Sequence, residues 1–134
     1  MILEDGMIGL DQPWWVILCA LTVGHMIGDY PLQGDFIAVH KNHRLPRENS
    51  KYPDKPRGLW FHCLTAHSII QAGIVWAITG LFVLALAEFV LHWVIDFLKS
   101  EGWTNFHVDQ FLHIACKGGF VALIYYDMIP PSML

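Results

Sequence analysis

Charge is what this chain has least of. Asp, Glu, Lys and Arg make up 15% of its 134 residues, where soluble domains average about 25%. Basic residues are scarcer still outside one stretch. Lys41, Arg44, Arg47, Lys51, Lys55 and Arg57 are six of the eight, and only Lys99 and Lys117 stand elsewhere. Cysteine is limited to Cys19, Cys63 and Cys116, an odd number with each residue in an apolar segment. That excludes a disulfide framework, and no pair has metal-ligand spacing, so buried, inert thiols are expected. Nucleophile, phosphate-loop and nucleic-acid motifs are absent, and no nucleic-acid partner is expected. Thr65 and Ser68 flank His67, but spacing alone builds no triad from them. The leader MILEDGMIGLDQP is acidic and lacks the basic region of a cleaved signal peptide. Internal repeats and low-complexity segments are lacking too, and the length suits one domain, residues 1–134.

Apolar residues fill the space. They form 54% of the chain, with a mean hydropathy of +0.41. Four apolar stretches cover about residues 14–30, 59–79, 81–99 and 106–128, each near the ~20 residues that cross a hydrocarbon core. Trp14, Trp15, Trp60, Trp103, Tyr125 and Tyr126 fall near their ends, as interfacial aromatic anchors do. Gly80 permits only a tight turn between the second and third stretches, which makes them an antiparallel pair. The expected fold class is all-α: a four-helix transmembrane bundle forming a single integral membrane domain. A soluble bundle with an unusually apolar core is the competing reading. Between the first span and the basic stretch, PLQGDFIAVHKNHR reads as a short interfacial helix opened by Pro31.

Lys and Arg concentrate in short cytoplasmic loops. The basic loop, residues 40–58, is therefore placed inside, with both termini outside. On that topology the localisation is the bacterial inner (cytoplasmic) membrane, multi-pass, with membrane lipids as partners and homo-oligomerisation left open.

Polar residues within the spans carry the functional signal. In EFVLHWVIDFLK, Glu88, His92 and Asp96 recur at intervals of four and share one helical face. Each ionisable side chain costs roughly 2.5–3.5 kcal/mol at the centre of a spanning helix. His25 and Asp29 end the first span, His67 begins the second, His92 and Asp96 end the third, and Asp109 and His113 begin the fourth. All lie in the cytoplasmic half. At 1.5 Å rise per residue the aspartates sit roughly 2–5 Å from their helix ends and the histidines roughly 7–12 Å, a carboxylate layer over an imidazole layer. The fourth helix runs opposite to the first and third, and its pair is reversed, DQFLH against HMIGD and HWVID, as common depth requires.

A His and an Asp four apart can both ligate one cation. The seven residues His25, Asp29, His67, His92, Asp96, Asp109 and His113 suit one or two divalent ions, with Zn, Mn or Fe favoured by the mixed donors. The alternative is interhelical hydrogen-bonded pairing without a metal. Gln71, one turn from His67, is expected to be a hydrogen-bonding partner. Glu88 is expected to be neutral and structural, or a proton relay. Lys117 could pair with Glu88 or bind an anion. His40, His43 and His107 are expected to be solvated and His62 peripheral, with Gln33 and Asp35 at the mouth of the site.

GHMIGDYPLQGDFIAVHKN, LTAHSIIQAG, LHWVIDFLKS and HVDQFLHIACK together resemble, in order and over nearly the whole chain, a family of small bacterial and phage membrane proteins of unknown function. A more distant similarity is to membrane-bound metal-dependent hydrolases. The residues lead to an expected membrane-embedded, metal-dependent hydrolase acting on a lipid or other amphiphile. Asp29, Asp96 or Asp109, whichever is not a ligand, is its general base. The alternatives are a divalent-cation or proton transporter or channel subunit, and a non-enzymatic phage or envelope membrane protein.

Overall fold

The computed structural model of the chain describes residues 6–45 and 54–129. Five helices follow one another: α1 (Trp14–Asp29), α2 (Gly34–His40), α3 (Leu59–Thr79), α4 (Phe82–Ser100) and α5 (Phe106–Tyr125). No strand occurs among the described residues. The long helices correspond to the four apolar stretches, and α5 stops three residues early, where Asp127 takes a φ of 51°. Arg47 and Lys51 of the basic loop lie outside the described residues.

Local chemistry sets the boundaries. Pro13 precedes α1, where a missing N–H costs nothing. The Asn105 side chain caps α5 by accepting from Val108 N at 3.0 Å. At the α3–α4 turn, Gly80 adopts φ 73°, which an L side chain resists, and the chain reverses within two residues. Thr79 Oγ1 accepts from Leu81 N at 3.1 Å and closes that turn. The short helix begins at Gly34 rather than at Pro31. Residues 30–33 form a turn, and Gly34, at φ 61°, redirects the chain so that α2 lies at 85° to α1.

The four long helices form a ring in which α1 touches α3, α3 touches α4, α4 touches α5 and α5 touches α1, while α2 packs on α3. One end of the ring is apolar. Ile17, Leu21, Val75, Ile78, Leu81, Leu84, Phe120 and Val121 form its core. Residues 7 and 8 are stitched to the end of α3 through Met7 N–Ala77 O at 2.7 Å and Ile8 N–Ile78 O at 3.2 Å. The other end is polar inside: His25, His67, Gln71, Glu88, His92, Asp96, Asp109, His113 and Lys117 are all buried. Outside, Val23, Ile27, Ile69, Phe82, Leu86, Val90, Val94 and Phe111 are exposed.

By length and composition, α3 alone among the described residues is long and apolar enough to cross a membrane, or two spans are if α1 and α2 count as one bent span. The other long helices fall short for identifiable reasons. α1 has 16 residues, α4 carries three charged residues, Glu88, Asp96 and Lys99, and the polar groups of α5, among them His107, Asp109, Gln110, His113 and Lys117, lower its mean hydropathy. Cys63 alone of the three cysteines is buried; Cys116 is half-buried and Cys19 exposed, and all three are free. The expectation of three buried thiols is corrected accordingly, because Cys19 falls on the outer face of α1.

α1 packs tightly on α3 at Gly24 and Gly28, where a Cβ would lie 2.5 Å from Ile74 Cγ2 and from Gln71 Nε2 respectively. Gly28→Val is expected to force the helices apart and destabilise the protein by about 1–3 kcal/mol. A fall in the thermal melting temperature of the purified protein checks this, with Gly73→Ala, which meets open space, as the comparison.

Candidate metal centre

The i,i+4 spacing turns each His–Asp pair toward the ring interior, and the topology brings the pairs to one level. His67 on α3 and His92 on α4 present their Nε2 atoms to each other at 3.0 Å. Asp29 Oδ1 from α1 stands 3.1 Å from His67 Nε2 and 3.6 Å from His92 Nε2. These three edges match the ~3.3 Å between neighbouring ligands of a tetrahedral ion with 2.0–2.1 Å bonds. A second trio lies beside the first: His113 Nε2 is 3.4 Å from Asp96 Oδ1 and 3.7 Å from Asp109 Oδ1. Asp96 faces both trios, because its Oδ2 is 3.6 Å from His67 Nε2 and 3.7 Å from His92 Nε2. His25 completes a third grouping with His92 and His113. Each of the three groups could hold a metal ion, and all seven residues singled out by spacing belong to at least one.

The surrounding shell orients the donors. His92 Nδ1 lies 3.2 Å from Glu88 Oε1, so a proton on Nδ1 leaves the Nε2 lone pair directed at the centre. A carboxylate behind an imidazole is the usual device for setting a ligand's tautomer. Glu88 is held in turn by Lys117 Nζ at 2.6 Å. Glu88 is therefore not an isolated neutral group, and of the two roles considered for Lys117 the structure has the pairing with Glu88. Asp29 accepts from Gln71 Nε2 at 2.7 Å and from Gln110 Nε2 at 3.0 Å, the first as expected. His25 makes no hydrogen bond through either ring nitrogen among the described residues, and His67 Nδ1 and Asp109 Oδ1 are buried in the same condition.

Two lysines reach the carboxylates from the open end of the ring. Lys41, at the end of α2, places Nζ 2.5 Å from Asp96 Oδ2, and Lys99 on α4 places Nζ 2.8 Å from Asp109 Oδ2. Neither stood out in the sequence, Lys41 being one basic residue of a loop and Lys99 a helix-end lysine. Lys99's position three residues after Asp96 was the available signal.

Several minor expectations change. His40 is buried and its Nδ1 lies 2.8 Å from Phe36 O. His43 Nε2 pairs with Glu101 Oε1 at 2.5 Å, and its ring stacks on Phe97. Both were expected to be solvated; His40 instead ends α2 with its ring stacked on Phe36, and the turn after α2 brings His43 against Glu101 and Phe97. His62 and His107 are exposed. Gln33 lines the cleft above the site, whereas Asp35 does not. Thr65 accepts from Trp93 Nε1 at 3.3 Å and Ser68 donates to Leu64 O at 2.9 Å.

Fold and site thus define an all-helical protein with buried His/Asp groups that could hold a metal ion at one end of a four-helix ring. The chain belongs to the family described as Protein of unknown function (DUF3307), whose model matches residues 17–130 and so includes all seven residues. No curated protein and no solved structure matches it.

The Glu88–Lys117 pair generates a test. Lys117→Met leaves the buried Glu88 carboxylate without its cation, with only His92 Nδ1 beside it, and is expected to destabilise the protein by about 3–5 kcal/mol. Adding Glu88→Gln should recover most of that loss, measured by thermal unfolding of the single and double variants.

Proposed function

We propose that this protein is a membrane-embedded, metal-dependent hydrolase whose His/Asp centre opens to the cytoplasm and acts on a lipid or other amphiphile. The observation that carries the reading is the convergence of His67 Nε2 and His92 Nε2 on Asp29 and Asp96, with Glu88 behind His92. Lone pairs and carboxylate charge directed at one point favour a cation over a hydrogen-bonded cluster. Interhelical hydrogen bonds in membranes average only about 0.6 kcal/mol, a small return for so many buried polar groups.

The inside-out distribution supports the membrane setting. Large apolar side chains face outward while charged ones are enclosed. Helices of 16, 21, 19 and 20 residues are roughly 24–32 Å long, against a hydrocarbon core of about 30 Å. Trp14, Trp15, Trp103, Tyr125 and Tyr126 are exposed at helix ends, where interfacial anchors belong. On this reading all four long helices span the bilayer, α2 lies at its surface, and the basic loop places the site on the cytoplasmic side of a bacterial inner membrane.

Two trios with Asp96 facing both suit two divalent ions, with Zn, Mn or Fe fitting the mixed imidazole and carboxylate donors. A bound ion would lower the pKa of a water and polarise the scissile group. Of the chain's own residues, His67, His92 and His113 supply nitrogen donors, and Asp96 links the two positions. Asp29 and Asp109 provide further ligands or accept the water's proton. Hydrolysis is favoured over transport because the polar interior ends at Lys117. Beyond it the ring is closed by Leu21, Leu84, Phe120 and Val121, so no polar path continues among the described residues.

Wild-type protein purified in detergent is expected to carry about one to two equivalents of a divalent metal. His92→Ala and Asp96→Ala should lower metal content and melting temperature together, since ligand removal takes binding free energy out of folding, whereas Gln71→Ala should do much less. Elemental analysis with melting curves checks this. Metal-free protein that gains no stability from Zn, Mn, Fe, Ni or Mg would refute the reading.

A further inference from the structure

We propose that the substrate of this centre is a phosphate ester, with Lys41 and Lys99 receiving its phosphoryl oxygens; the inference rests on the metal reading above. A cleft of about 280 Å³ leads from the open end of the ring to the site. Asp29 and Asp96 lie at its floor, and Lys41, Lys99, Asn42 and Gln110 line it above them. Two ammonium groups and two side-chain amides therefore surround the approach to the carboxylates.

Charge decides what can sit there. Lys41 and Lys99 here compensate Asp96 and Asp109. Divalent ions on the two trios would take over that compensation and free both lysines toward the cleft. Three aspartates then face two lysines and four charges from the ions, an excess of three positive charges in a partly enclosed space, while Glu88 and Lys117 cancel each other. A neutral ester or amide would leave that excess uncompensated. A phosphate monoester, carrying up to two negative charges and three terminal oxygens, offsets most of it. Lysine binds phosphate as a point charge, and paired metal ions clamp the attacking and leaving oxygens of an in-line displacement.

The reaction balances without a further reactant. The oxygen of one water bonds to phosphorus and the ester P–O bond breaks. Its electron pair leaves on the alcohol oxygen, and a proton from the water ends there, giving alcohol and inorganic phosphate.

The probe is inorganic phosphate, titrated calorimetrically into Mn- or Zn-loaded full-length protein and into chelator-treated protein. Binding is expected only with metal. Lys41→Gln and Lys99→Gln should each weaken it about tenfold or more at unchanged metal content, while Arg57→Gln, exposed and outside the cleft, should not change it. Metal retained with no phosphate binding by wild type overturns the inference and leaves the metal reading standing. Absence of metal takes both down. Unchanged phosphate affinity in both lysine variants, or loss of metal from them, overturns the role given to the lysines. Phosphate release is then measured from phosphatidate in mixed micelles and from soluble glycerol phosphate. Release from the first identifies a lipid source and from the second a soluble one, either supporting the inference; release from neither overturns it.

Discussion

Two imidazole nitrogens, His67 Nε2 and His92 Nε2, stand 3.0 Å apart with carboxylates of Asp29 and Asp96 on either side. That contact imposes the geometry of the rest. It requires α3 and α4 to be antiparallel neighbours at fixed register, which the Gly80 turn provides. It requires α1 to approach α3 closely enough for Asp29 to reach across, which Gly28 permits by leaving room for Gln71. Behind His92 it is backed by buried groups, Glu88 and, beyond it, Lys117. Polar groups enclosed without partners are costly, so the cluster and the apolar exterior are two consequences of one arrangement.

Much of this could be read from the sequence because the spacing is strict. His–Asp pairs four apart can face only one way on a helix, and the reversed order in DQFLH fixes the direction of its helix relative to the others. The helices appear where the apolar stretches lie, and the seven residues meet. Less legible was everything set by backbone turns and long side chains. The 85° bend before α2 depends on a single left-handed glycine, Gly34. Lys41 reaches Asp96 across 55 positions of chain, and no local pattern encodes that. His40 and His43 looked solvated because no local pattern shows that the end of α2 is buried or that the following turn sets His43 against Glu101 and Phe97.

The apolar core and the polar cluster occupy opposite ends of the same ring, and this division bears on function. A conduit needs polar groups along its whole length, while a reaction centre needs them at one depth, with a closed floor and an accessible mouth. Leu21, Leu84, Phe120 and Val121 form such a floor, and the cleft between the end of α2 and the ends of α4 and α1 forms such a mouth. Lys41 and Lys99 link the two, since they touch the carboxylates from the side by which a substrate would enter.

The central claim is that these side chains hold divalent metal, and X-ray absorption at the metal edge of the purified protein tests it most directly. The account predicts a first shell of nitrogen and oxygen at about 2.0–2.1 Å with imidazole scattering, and a second metal at about 3.5–4 Å when both positions are filled. A spectrum showing sulfur ligation, a shell of water alone, or no bound metal would contradict it.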